Sequence, residues 1–137
     1  MYEKLNLIKN KLKNFNNISY NTEDNILTVF PKKNTGFTVS FVITDKKYYV
    51  YYDVWNVEFK NINDAIDCFA FGLTNQCRLK VKSRGSKDYK WVLEYNDKGD
   101  WKEYSYTSVI NLNLFGQKNT RYLTNDIIKN INDLIMS

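Results

Sequence analysis

Histidine is absent from all 137 residues. Its absence removes the commonest general base, the commonest zinc-site nitrogen and the usual switch near neutral pH. Cysteine is nearly as scarce, with Cys68 and Cys77 the only thiols. Two thiols without an imidazole neither complete a four-ligand zinc site nor activate a thiolate, so both read as small buried hydrophobes. Proline occurs once, at Pro31. No apolar run approaches the length that crosses a bilayer, and Met1 to Lys9 is charged and amphipathic, without an apolar signal core or a small-residue cleavage site. The expectation is a cytoplasmic protein with no membrane partner. Phosphate loops, dinucleotide fingerprints and nucleophile elbows are missing too, so neither a cofactor nor a metal is expected.

What is abundant is aromatic and cationic. Aromatics reach 16%, with 11 tyrosines against 8 phenylalanines. A tyrosine wants its ring buried and its hydroxyl satisfied, which places many of them where core meets water. The net charge is +5, and it is concentrated. Residues 1–16 carry +3 (Lys4, Lys9, Lys11, Lys13 against Glu3) and residues 73–95 carry +4 (Arg78, Lys80, Lys82, Arg84, Lys87, Lys90 against Asp88 and Glu94). Local concentration of this kind is a footprint for nucleic acid or another anionic surface, although a lysine- and asparagine-rich composition produces it as well.

Periodicity organises the chain around residues 61–95. Ile62, Ala65, Ile66, Phe69, Ala70 and Leu73 recur at helical spacing, with Asn61 or Asn63 as cap and Gly72 as a left-handed stop. The pattern then switches to period two. Cys77, Leu79 and Val81 point one way while Arg78, Lys80, Lys82 and Arg84 point the other, and a return strand runs through Tyr89 to Tyr95. Pairing of Ser83 with Tyr89 would set Arg78 opposite Glu94. Upstream, the spacing predicts a helix over residues 2–16 and short strands at Ile18–Tyr20 and Ile26–Phe30. A hairpin follows in which Ile43, Phe41, Val39 and Phe37 stack on Tyr48, Val50, Tyr52 and Val54. Downstream it predicts strands over Trp101–Ser108 and Val109–Phe115, and a helix from Thr124 that aligns Ile127, Ile128, Ile131, Leu134 and Ile135. The fold class expected is α+β: one domain over residues 1–137, a mainly antiparallel sheet of about 6–9 short strands, and three helices packed against it.

Three groups of residues are candidates for function. An aromatic and polar sheet face is formed by Thr38, Ser40, Tyr49, Tyr51, Asp53 and Trp55, because this parity opposes the core set. It points to a non-catalytic interaction protein, immunity- or adaptor-like, that binds a protein partner or small ligand. The second group, Arg78, Lys80, Lys82, Arg84 and Lys90, points to nucleic acid. Third, Asp45 or Asp53 followed by Glu58-Phe59-Lys60 resembles the metal-dependent nuclease core of the restriction-endonuclease type. That resemblance implies two carboxylates holding Mg²⁺ and a lysine steadying the attacking water. No Pro-Asp pair opens the motif here. Thr35 to Phe41 is also similar to the aromatic strand of RNA-recognition motifs, but without a basic residue before Gly36 its phenylalanines are better explained as core. Catalysis needs a titratable group poised near neutrality, so an enzyme is the least favoured of the three.

Overall fold

The computed structural model describes residues 2–15, 17–111 and 113–135. Its first sheet is a plain meander of β1 (Ser19–Glu23), β2 (Ile26–Phe30), β3 (Val39–Ile43), β4 (Tyr48–Tyr52) and β5 (Trp55–Phe59). The second contains β6 (Cys77–Arg84), β7 (Lys87–Asp97), β8 (Asp100–Ser108) and β9 (Lys118–Leu123), in the order β8-β7-β6-β9. All pairings are antiparallel. Three helices complete the α+β chain: α1 (Tyr2–Leu12), α2 (Ile62–Phe71) and α3 (Asn132–Ile135).

Helix α2 forms where the periodicity puts it. Asn61 caps it by accepting from the Asn63 and Asp64 amides, and Ala65, Ile66, Phe69 and Ala70 are buried against the first sheet. The hairpin register follows the alternation, with Ile43 on Tyr48, Phe41 on Val50 and Val39 on Tyr52. Phe69 meets Phe41 edge-on at 5.9 Å, an arrangement that the ring quadrupoles favour. Gly72 ends the helix in right-handed geometry, φ −66°, rather than as the left-handed residue expected. It is glycine for want of space: a Cβ there would lie 2.6 Å from Tyr52 Cζ. The Tyr52 hydroxyl donates to the Cys68 carbonyl, so a fully buried phenol is satisfied at the helix end. Both cysteines are free; burial pushes the Cys68 thiol up to about 11 and Cys77 further still, which keeps both protonated.

Elsewhere tertiary contacts override local pattern. Helix α1 stops at Leu12, short of the expected end at residue 16, and Asn16 itself lies outside the described residues. The stretch expected to form a strand over Val109–Phe115 does not; Ile110, Leu114 and Phe115 are exposed in a loop, and Leu112 lies outside the described residues. The strand that closes the second sheet is β9 instead, a polar segment held by pairing with β6. The expected C-terminal helix shrinks to α3. Asn125 is buried and fixes the preceding backbone: its amide bridges the Phe37 N–H (3.1 Å), the Phe37 carbonyl (3.0 Å) and the Gly72 carbonyl (2.9 Å). The Ile127 and Ile128 amides then both donate to Leu73 O, so those side chains reach the core from an irregular segment. Phe37 is thereby buried outside any strand, and its expected partner Val54 lies exposed in a turn.

Candidate functional site

Asp53 and Val54 form the tight turn between β4 and β5, with Asp53 in the left-handed region at φ +51°. This turn corrects the aromatic face expected from parity. Reading β4 straight through to Trp55 puts the indole beside Tyr49 and Tyr51, but the chain reverses first and pairs Trp55 with Tyr52. Trp55 is consequently core: it is 1% exposed, stacks on Tyr52 at 4.7 Å and donates from Nε1 to Ser105 Oγ at 2.9 Å. Asp53 leaves the face as well, its Oδ1 accepting the Thr38 amide at 2.9 Å.

What stays on the outward side of the first sheet is Ser40 opposite Tyr51 and Val42 opposite Tyr49. Several of its polar groups satisfy one another, Tyr51 excepted. Tyr49 Oη donates to Glu58 Oε1 at 3.0 Å, Lys47 Nζ contacts the same oxygen at 3.0 Å, and the Thr28 and Ser40 hydroxyls share a bond at 3.2 Å. The hydrogen bonds from Lys47 and Tyr49 hold the Glu58 carboxyl below its ordinary range. These contacts also bear on the nuclease resemblance. Glu58 lies three ladder rungs from the turn that holds Asp53, roughly 10 Å along the strand at the usual rise. The two carboxylates do not converge, and no metal-holding group of three His, Cys, Asp or Glu occurs among the described residues. Lys60 follows β5 as an exposed residue just before α2.

The second sheet is built differently. Its inward side chains, Cys77, Leu79 and Val81, are fully buried, while Arg78, Lys80 and Lys82 are partly buried on the other face. The Ser83–Tyr89 pairing is displaced by a bulge, so Ser83 meets Asp88, but Arg78 does sit opposite Glu94. Arg78 Nε donates to Glu94 Oε1 at 2.7 Å, and its guanidinium lies 4.3 Å from the ring centres of both Trp101 and Tyr122. This cation belongs to the fold.

Beyond Arg78 the charge goes unanswered. One row across the face reads Tyr106, Val92, Lys80, Tyr122; the next reads Ser108, Lys90, Lys82, Thr120; then Arg84 stands opposite Lys118. Lys82 faces Lys90 and Arg84 faces Lys118 directly across the strands, and like charges so placed destabilise a sheet. Among the described residues neither pair meets a carboxylate. Lys90 Nζ lies 4.2 Å from the Tyr106 ring centre, and Arg84 lies 6.0 Å from that of Tyr89. Tyr106 and Tyr122 stay 56% and 47% exposed, large rings flanking a cationic strip. The expected basic set is thus gathered on one face, with Arg78 spent on the fold. Tyr106 was legible in the alternation of its strand, whereas Tyr122 and Lys118 were not, because β9 carries too little apolar signal to read as a strand.

A scan of family models, a search of curated proteins and a search of solved structures each find no match to this chain.

Proposed function

We propose that this protein is a non-catalytic binding module whose four-stranded sheet takes single-stranded nucleic acid on its outward face. The observation that carries this reading is the pair of like-charged cross-strand contacts, Lys82 with Lys90 and Arg84 with Lys118, flanked by exposed Tyr106 and Tyr122. A fold gains nothing by placing cations opposite one another without an acid, whereas a polyanion binding there would repay the repulsion. Lys80, Lys82 and Arg84 recur every second residue, on the order of 7 Å apart, and can follow a phosphate backbone. The tyrosines offer stacking surfaces, and base–aromatic stacking tolerates any base sequence. The outward face of the first sheet, from which a protein or small-ligand partner was expected, supports that role less well because Thr28, Ser40, Lys47, Tyr49 and Glu58 are already paired with one another.

Fluorescence anisotropy with labelled single-stranded DNA and RNA of mixed sequence, and with duplex DNA, tests the proposal. Affinity for the single strands should fall with salt, and each lysine removed should lower the log–log slope by about 0.7. Lys82→Glu should weaken binding while leaving thermal stability equal or raised, since it converts a repulsive pair into an attractive one. Absence of binding at low salt, or binding indifferent to Lys82→Glu and to Tyr122→Ala, would overturn the reading.

A further inference from the structure

The two sheets touch along β5, β7 and β8, where Trp55 meets Ser105 and Tyr104, while α2 packs chiefly on the first sheet and α3. Helix α2 meets the second sheet at its C-terminal end, where the Cys77 thiol contacts the Phe71 carbonyl. A wedge is therefore left between the outward stripe of α2 and the inner face of the second sheet. It is a cavity of about 520 Å³, within the size range of small-molecule sites. Its walls are rings and aliphatic groups, among them Trp55, Phe59, Phe71, Tyr95, Tyr104 and Ile131. The charged residues lining it are both acidic. Asp64 and Asp67 stand one turn apart on α2, exposed, and neither has an ion pair among the described residues. Asp64 is accounted for by the helix N-terminus, which favours negative charge in the first turn; Asp67 lies beyond that turn, at a position where aspartate is a poor helix former.

We infer that this cavity binds a small hydrophobic cation, a molecule with an apolar ring-bearing body and an ammonium group. The body would replace water against the apolar walls, and the ammonium would lie between the two carboxylates and the faces of the aromatic rings, both of which attract positive charge. Among the described residues no lysine or arginine lines the cavity to compete for those carboxylates. The protein as a whole carries +5 and repels cations at long range, so a preference for one here must come from the site itself. This inference is independent of the nucleic-acid reading, whose face lies on the opposite side of the second sheet.

The test is a titration of the full chain with 4-phenylbutylammonium, followed by backbone amide NMR shifts, with 4-phenylbutanol and 4-phenylbutyrate as neutral and anionic counterparts. Expected are saturable shifts at residues 64–71 and around Tyr104, and cation affinity about five- to tenfold above that of the alcohol. The double variant Asp64→Asn, Asp67→Asn, altered only at exposed positions, should bring the cation down to the alcohol's affinity and leave the alcohol unchanged. Absence of saturable cation binding, shifts confined to other parts of the molecule, or alcohol or butyrate binding as tightly as the amine would each overturn it.

Discussion

The two sheets of this molecule turn opposite chemistry to their surroundings. On the first, Tyr49, Glu58 and Lys47 close a small network and Thr28 bonds Ser40, so most side chains that could grip a partner, Tyr51 excepted, are engaged with each other. On the second, Lys82 faces Lys90 and Arg84 faces Lys118, with tyrosines open beside them. Both faces are polar by composition. The difference lies in whether the charges cancel locally, and a surface that leaves them uncancelled forgoes stability that a simple rearrangement of residues would recover. That distinction separates a solvated face from a candidate interface more sharply than aromatic content does.

The contrast is tested most severely at β4 and β5, where two aromatic residues expected on one face lie on opposite sides. Trp55→Ala should destabilise the protein by about 3–5 kcal/mol, because it empties a fully buried site and strands the Ser105 hydroxyl. Tyr51→Ala, on the outward side, should stay within about 1 kcal/mol. Urea denaturation of both variants checks this, and similar losses for the two would mean that the first sheet buries both its faces.

A smaller effect separates the structural cation from the free ones on the second sheet. Arg78→Met removes a charge-assisted hydrogen bond and two ring contacts, and leaves the largely buried Glu94 carboxylate unpaired; a loss of about 2–3 kcal/mol is expected. The same substitution should barely change the salt dependence of nucleic-acid binding. If it instead lowers that dependence as much as Lys82→Glu does, Arg78 is part of the interface and the charges of this sheet are less divided in role than their contacts indicate.

Much of this arrangement is legible in the residues themselves. Period-two alternation in β3, β4 and β6 and period-3.6 spacing in α2 name the core, since each of these elements buries a single face; β7 departs from it, with Trp91, Val92 and Leu93 all buried. The signals that mislead do so for definite reasons. Alternation carries no mark of the Asp53-Val54 reversal, because aspartate enters the left-handed region without the glycine that usually announces it. The isoleucines after Thr124 keep helical spacing, yet three hydrogen bonds from one buried asparagine outweigh the local propensity of a short segment. β9 shows no apolar periodicity at all, since five of its six residues are exposed and its backbone pairing supplies what its side chains do not. The cationic strip inherits that blindness, with its outer column contributed by a strand that side-chain pattern cannot show.

The seam between the sheets yields the finest test. Asp53 is exposed, but its carboxyl accepts the Thr38 amide, and partial desolvation raises its pKa above the ordinary carboxylate value, against the lowering effects of that hydrogen bond and of Arg121. Arg121 is itself held by Asp88 through two hydrogen bonds, at 2.6 and 2.8 Å, so it has little attraction to spare. A carboxylic acid with a raised folded-state pKa binds its proton more tightly folded than unfolded. Its ionisation therefore costs stability at pH values above the folded pKa, and the cost disappears as pH falls to the unfolded value. An asparagine side chain at this turn would keep an acceptor for the Thr38 amide and suit the left-handed backbone, without any charge to desolvate. Solvent screens this exposed group, so Asp53→Asn should raise the melting temperature only slightly at pH 7, by about a degree at most, and the gap to the parent protein should close near pH 3. A variant that is less stable at pH 7, or whose advantage grows on acidification, would show that the Asp53 charge is favourably held by Arg121 and that the two sheets are coupled electrostatically at this turn.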